Sequence, residues 1–202
     1  MLKLLIGTGN SGKFYEIQAL LAGLAFQLIS LADIDLDLDV DEVGTTYQEN
    51  AALKAEIYAQ ASGLFTLADD SGLEVDALDG RPGVRTKRFA PGDELEGEAR
   101  DKANNAYLLE QLHGRPPEER GTRYVCVAAL ATGEGDVTTF RGEAPGVVLE
   151  EGRGGGGFGY DPIILDESSG KSFAELTAEE KNDRSHRGRA FRALGRHLRG
   201  QE

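Results

Sequence analysis

An α/β fold, a mixed β-sheet flanked by helices, is the architecture this sequence predicts, and three observations lead to it. Strand-like and helix-like segments alternate through the first third, strand patterns crowd the middle, and helical spacing returns at the end. The chain has 202 residues, 40% hydrophobic and 28% charged, which is ordinary for a globular protein and is read as one domain over 1–202. Its 27 glycines and 6 prolines ask for particular loops rather than for disorder.

Leu2 to Ile6 is a short apolar run stopped by glycine, hence a buried strand. A helix follows from Lys13, with Ile17, Leu20, Leu21 and Leu24 on one face, and Phe26 to Ser30 is the next strand. The acidic stretch Asp33 to Glu42 alternates aspartate with leucine and valine, which suggests a strand with one solvated face. A helix spans about Tyr47 to Ser62. Leu64 to Ala68 is a strand running into Asp69-Asp70-Ser71-Gly72, with a further strand over Leu73 to Leu78. Gly97 to Leu112 reads as a helix, ended by Gly114 and Pro116-Pro117. Tyr124 to Ala131, Val137 to Arg141 and Gly146 to Leu149 look like a three-stranded meander. Six glycines fall in the eight positions from Gly152 to Gly159, before Tyr160-Asp161-Pro162 and a strand over Ile163 to Leu165. Thr177 and Glu180 have the spacing of a capping box, and a last helix begins near His186.

Composition narrows the function. A net charge of −13 argues against bulk electrostatic binding to nucleic acid or an anionic membrane. A single cysteine excludes an internal disulfide and a cysteine-based zinc site. The apolar start, Met1 to Gly7, is too short for a signal peptide or a membrane span, so a cytoplasmic protein is expected.

Gly7-Thr8-Gly9-Asn10-Ser11-Gly12 fits G-x-G-x-x-G between a strand and a helix, with Asp33 and Asp35 at the distance a dinucleotide fold requires. A P-loop is excluded because Phe14 stands where a Ser or Thr must meet Mg²⁺. A plain glycine-rich turn is the remaining alternative. Every functional reading shares backbone N–H groups at a helix N-terminus, able to bind an anion. An EF-hand starting at Asp33 fails, since its sixth and twelfth positions are Leu38 and Gly44. Asp70-Ser71-Gly72 occurs once, in a helix-rich chain, which sets aside an aspartic protease.

Helical spacing is more telling. Lys13 shares a stripe with Ile17, Leu20 and Leu24; Lys54 falls among Tyr47, Ala51, Tyr58 and Ala61; Arg187 heads Phe191, Leu194 and Leu198. A cation on a core-facing stripe needs an anionic partner or an escape to solvent. Snorkelling, a structural salt bridge and a ligand contact are all open at this level. Between Lys13 and Lys54 there are eight acids and no Lys or Arg. That contrast suits phosphates held by a few cations and a metal held by carboxylates. Asp69 and Asp70, ending an apolar strand, fit metal or acid–base duty, or else an Asx turn.

Together these motifs resemble one family. They are Thr8 to Lys13, then Glu42-Val43-Gly44-Thr45-Thr46-Tyr47-Gln48-Glu49-Asn50-Ala51 with Lys54, Ala68 to Leu73, Gly156 to Pro162, and Ser185 to Gly188. In this order, over Leu2 to Leu198, they are similar to the inosine/xanthosine triphosphate pyrophosphatases, which remove deaminated purine nucleotides from the pool. One stretch departs: Lys87, in Pro82 to Arg88, stands where the family has a small residue.

The resemblance implies a Mg²⁺-dependent homodimer that hydrolyses ITP, dITP and XTP to the monophosphate and pyrophosphate. It also implies an elongated fold with two lobes around a central substrate cleft. Glu42 and Asp70 would bind Mg²⁺, with Asp70 also the proton acceptor for water. Thr8, Gly9, Asn10, Ser11, Gly12, Lys13 and Lys54 would hold phosphates. Phe158 would stack on the base, with Gly157 and Gly159 allowing close approach, and Ser71, Tyr160 and Asp161 belong to the substrate-binding set. Lys181, His186 and Arg187 would donate to the 6-keto oxygen, so a 6-amino base leaves them unpaired.

Blander readings exist for several of these. His186 could lie at the surface with His113 and His197. The seven Lys and Arg from Lys181 to Arg199 could be a solvated helix face. Cys126 reads as a buried strand thiol. The competing classes are a dinucleotide-binding oxidoreductase, which leaves Asp69-Asp70 and Phe158 unused, and a nucleotide sensor without turnover.

Overall fold

The computed structural model describes residues 1–92, 94–132 and 135–200. In chain order the elements are β1 (Leu2–Ile6), α1 (Ser11–Leu20), β2 (Phe26–Ser30), α2 (Tyr47–Ser62), β3 (Phe65–Val75), β4 (Pro82–Gly83) and α3 (Gly97–Gln111). They continue with β5 (Gly121–Ala131), β6 (Val137–Val148), β7 (Ile164–Asp166), β8 (Lys171–Ser172), α4 (Ala178–Arg184) and α5 (His186–Leu198). The strands follow the order β2-β1-β3-β5-β6-β7-β8, with β4 on β3. β1 is parallel to β2 and β3, whereas β4, β7 and β8 pair antiparallel, so the sheet is mixed.

Two compact units share this chain. The first comprises Met1–Ser71, Cys126–Glu143 and Asn182–Glu202, and the second Gly72–Val125 and Ala144–Lys181. In the first, β1 is covered on both faces, which explains its unbroken apolar run. Leu4 and Ile6 join Ile17 and Leu21 at α1, Cys126 and Ala128 of β5, and Phe191 and Leu194 of α5. Leu5 points the other way, to Ile29, Val40 and Tyr58. The second unit closes around Leu73, Val75, Leu108, Leu112, Tyr124, Ile164 and Phe173.

Helix boundaries follow their caps. Asn10 accepts the Lys13 N–H at 3.0 Å, so α1 starts at Ser11 rather than Lys13. Thr46 and Glu49 form a capping box for α2, which ends at Gly63 with φ 68°. Ser185 accepts the Gly188 N–H at 3.0 Å and starts α5.

Three expectations are corrected. The acidic stretch is not a strand: a 3-10 turn over Ala32–Ile34 leads into irregular chain. Leu31, Ile34, Leu36 and Leu38 still pack inward, so the alternation marks burial without a ladder. The two strands expected around Asp69-Asp70-Ser71-Gly72 are one, β3, which removes the turn between them. Val137 to Arg141 and Gly146 to Leu149 likewise form the single strand β6.

Candidate active site

β3 places two consecutive aspartates on opposite faces of the sheet, as strand geometry requires. Asp69, 2% exposed, meets the face carrying α1 and α5. Its Oδ2 accepts from Lys13 Nζ at 2.9 Å and from Arg187 Nε and Nη2 at 3.4 and 3.3 Å. Arg187 also donates through Nη1 to Glu16 at 2.5 Å and through Nη2 to Ser71 Oγ at 3.0 Å. Burial pushes the Asp69 carboxyl up, but Lys13 and Arg187 outweigh it and hold the group well below the usual carboxylate range.

Asp70 meets the α2 face. Asn50 Nδ2 donates to its Oδ2 at 3.1 Å, the Ser71 N–H donates to its Oδ1 at 2.9 Å, and Lys54 Nζ lies 3.8 Å from Oδ1. Lys54 also donates to Glu42. Burial raises the Asp70 carboxyl above its ordinary value; Lys54 opposes this and the Glu42 charge reinforces it. Lys54 is held protonated, because Asp70, Asp69 and Glu42 outweigh the burial that would lower it. Neighbouring carboxyls are thus shifted in opposite directions, Asp69 down by its two cations and Asp70 up by burial.

The three cations on core-facing stripes are 5%, 8% and 1% exposed for Lys13, Lys54 and Arg187, so none snorkels. Ahead of α1, Thr8 Oγ1 accepts the Asn10 N–H at 3.2 Å, and the Gly7 N–H reaches the Leu67 carbonyl at 2.7 Å. A Cβ on Gly7 would lie 2.6 Å from Tyr58, so close packing fixes this glycine. Gly9 and Ser11 are exposed and Gly12 is half-buried over the helix start. His186 is 6% exposed, which removes its surface reading. Cys126 is the buried thiol expected, 3.8 Å from Asp69 Oδ2.

In the second unit, Asp161 organises the glycine-rich segment. Its Oδ2 accepts the Phe158 N–H at 2.9 Å and Lys181 Nζ at 2.6 Å, and Oδ1 accepts Tyr124 Oη at 3.1 Å. The Lys181 ammonium lies 4.5 Å from the Phe158 ring centre, a cation–π contact. A Cβ on Gly157, at φ 72°, would collide with Asp161 Oδ2. Tyr160 Oη donates to the Thr86 carbonyl at 2.9 Å, and Lys87 and Arg88 beside it are exposed.

Glu42 and Asp70 supply hard oxygen donors, and the buried Asp70 charge gains from a cation. No group of three or more His, Cys, Asp or Glu among the described residues is placed to hold a metal ion. Such a two-carboxylate set fits Mg²⁺, which takes one or two carboxylates and completes its shell with phosphates and water.

The model of the Ham1 family matches residues 4–197. The chain belongs to the Ham1 family. Among curated relatives of this Ham1 chain, the dITP/XTP pyrophosphatase of Geobacter sulfurreducens is 48% identical, covering 98% of this chain and 97% of that protein. A dITP/XTP pyrophosphatase of Thermus thermophilus is 47% identical, covering 96% and 90%. Among solved structures, a HAM1 protein from Coxiella burnetii superposes with a TM-score of 0.88 at 37% identity, covering 99% of this chain and all of that one.

The sequence motifs include Asn50 without giving it a role, and they do not single out Glu16, Asp101 or Asn105. Asn50 precedes Lys54 by one helical turn on the same inward stripe, a signal that was readable. The others contact residues far away in sequence and left none.

Proposed function

We propose that this Ham1-family protein hydrolyses deaminated purine nucleoside triphosphates (dITP, ITP and XTP) to the monophosphate and pyrophosphate. One observation carries the reading: a buried carboxyl, Asp70, sits beside a buried lysine, Lys54, which also pairs with a second carboxylate, Glu42.

The residues divide the work by chemistry. Asp70, buried beside Lys54 and hydrogen-bonded by Asn50, accepts the proton of an attacking water. Lys54 and Lys13, with the Thr8 to Gly12 segment at the head of α1, bind phosphate oxygens. Lys13 is oriented by Asp69, which Arg187 braces: with its donors on Asp69, Glu16 and Ser71, Arg187 takes this part in place of the 6-keto contact that the resemblance implied. Glu42 and Asp70 would hold Mg²⁺, which when bound supplies charge neutralisation on the phosphates. Phe158 gives the base a stacking face, and Lys181 and His186 donate toward a 6-keto oxygen. Asp161 fixes the Lys181 ammonium, and Ser71 holds Arg187, so these two support contacts rather than make them. A homodimer in the cytoplasm is the form expected of the active protein; among the described residues no helix is long and apolar enough to cross a membrane.

Product analysis with dITP and Mg²⁺, against ATP, GTP and metal-free controls, tests this reading. Release of dIMP and pyrophosphate from dITP alone is expected. Orthophosphate would reassign the cleaved bond, and binding without turnover would leave a nucleotide sensor.

A further inference from the structure

We propose that Asp101 and Asn105 of α3 are positioning residues that set the Phe158 loop for the purine base, an inference that rests on the nucleotide reading above. Six of the eight residues from Gly152 to Gly159 are glycine, so this loop has large intrinsic backbone freedom. A stacking side chain borne on such a loop must be held from outside, or each binding event pays for its ordering.

The hold on the near side is Asp161, which takes the Phe158 N–H at 2.9 Å. The hold on the far side is α3. Asp101 Oδ2 accepts the Gly159 N–H at 2.7 Å, and Asn105 Nδ2 donates to the Gly159 carbonyl at 3.1 Å. Residues at i and i+4 of a helix share a face, so one rigid surface grips both polar groups of a single residue. Gly159 adopts φ 63°, a left-handed conformation in which any side chain would be strained. The two bonds therefore fix the backbone where Phe158 leaves the loop.

The helix is anchored independently of the loop it grips. Asn104 accepts the Ala90 N–H at 2.9 Å and donates to the Lys87 carbonyl at 3.1 Å, and Arg100 donates to the Ala90 carbonyl at 3.1 Å. Leu108 on the helix and Leu112 at its C-cap are fully buried. Asn105 also carries a sign that packing alone did not select it. Its Oδ1 is buried with no hydrogen-bond partner among the described residues, a cost that an apolar side chain would avoid. What the amide provides in exchange is the donor to Gly159.

Asp101→Ala, Asp101→Asn and Asn105→Ala, assayed by steady-state kinetics with dIMP and pyrophosphate as inhibitors, test the clamp. Loss of a charge-assisted bond should raise the KM for dITP and the Ki for dIMP about tenfold. The Ki for pyrophosphate, which has no base, should stay within about twofold and kcat within about threefold. Asp101→Asn keeps an acceptor oxygen and should recover most of the loss. Amide exchange at Gly159 should accelerate in Asp101→Ala while the α3 amides keep their protection. Equal shifts in both inhibitors, an Asp101→Asn as impaired as Asp101→Ala, or unchanged Gly159 exchange would overturn the clamp. Should Asp101→Ala fail to fold, Asp101→Asn and Asn105→Ala carry the same comparison. Wild-type protein that leaves dITP intact would overturn the pyrophosphatase reading itself, whereas wild-type turnover with an unaltered KM in the variants overturns the clamp alone.

Discussion

Arg187 reaches Asp69 across 118 positions of sequence and gives its carboxylate two donors, at 3.3 and 3.4 Å. Lys13 completes the arrangement from a third segment, so one buried anion joins α1, β3 and α5. Removing the shared anion leaves two cations facing each other in a dry site. Asp69→Ala is expected to lower unfolding free energy by about 3–5 kcal/mol, read from urea denaturation. A midpoint like that of the wild type would show that the cluster contributes little.

Asp70 has the opposite character. Asp70→Asn preserves size and the contact with Asn50 but removes the proton acceptor and a charge. Turnover of dITP should fall by about 10²–10⁴-fold with the circular dichroism spectrum unchanged. Near-normal rates would remove Asp70 from the chemistry.

Lys54 is predicted to act on the triphosphate. Lys54→Ala should raise the KM for dITP about tenfold or more, since a charge-assisted contact is lost. Unaltered kinetics would make its pairing with Glu42 purely structural.

Gly142 of β6 lies against α5 with no room for a side chain. A Cβ there would collide with the His186 carbonyl oxygen and lie 2.5 Å from the Ala190 nitrogen, both backbone atoms that move only with the helix itself. Gly142→Ala should destabilise the protein by about 1–3 kcal/mol or more, measured by thermal melting, because the start of α5 must shift.

Glu180 gives the clearest pH dependence. Lys171 and the Thr177 N–H lower its carboxyl from 4.5 to about 2. A lowered carboxyl stabilises the fold above its unfolded value and loses that contribution as pH falls through its folded value. The melting-temperature advantage of wild type over Glu180→Gln should therefore be full above about 4.5 and vanish near pH 2. A constant difference over that range would contradict the assignment.

Much of this was legible in the sequence, and the reason is periodicity. A 3.6-residue stripe exposes a misplaced cation at once, so Lys13, Lys54 and Arg187 stood out before any contact was known. Asp69-Asp70 was visible as a pair, but an assumed turn hid its main property. Only a continuous strand assigns the two carboxylates to opposite faces, and that continuity runs through Ser71 and Gly72, both common in turns. The acidic stretch misled for a related reason: alternating burial arises wherever an extended chain lies on a core, with or without a partner strand. The grip of Asp101 and Asn105 on Gly159, 58 and 54 positions away, and the contact of Gly142 with α5, belong to tertiary packing and leave no local pattern.

Cys126 makes the molecule its own reporter. It is the chain's single cysteine, fully buried in β5. Burial and the Asp69 charge push its thiol far above the ordinary range. Alkylation requires an accessible thiolate, and the closed protein offers neither access nor charge. A maleimide or disulfide reagent added to the native enzyme therefore modifies it only when the sheet around Asp69 opens. The labelling rate becomes a clock for that opening, wound without any engineered probe.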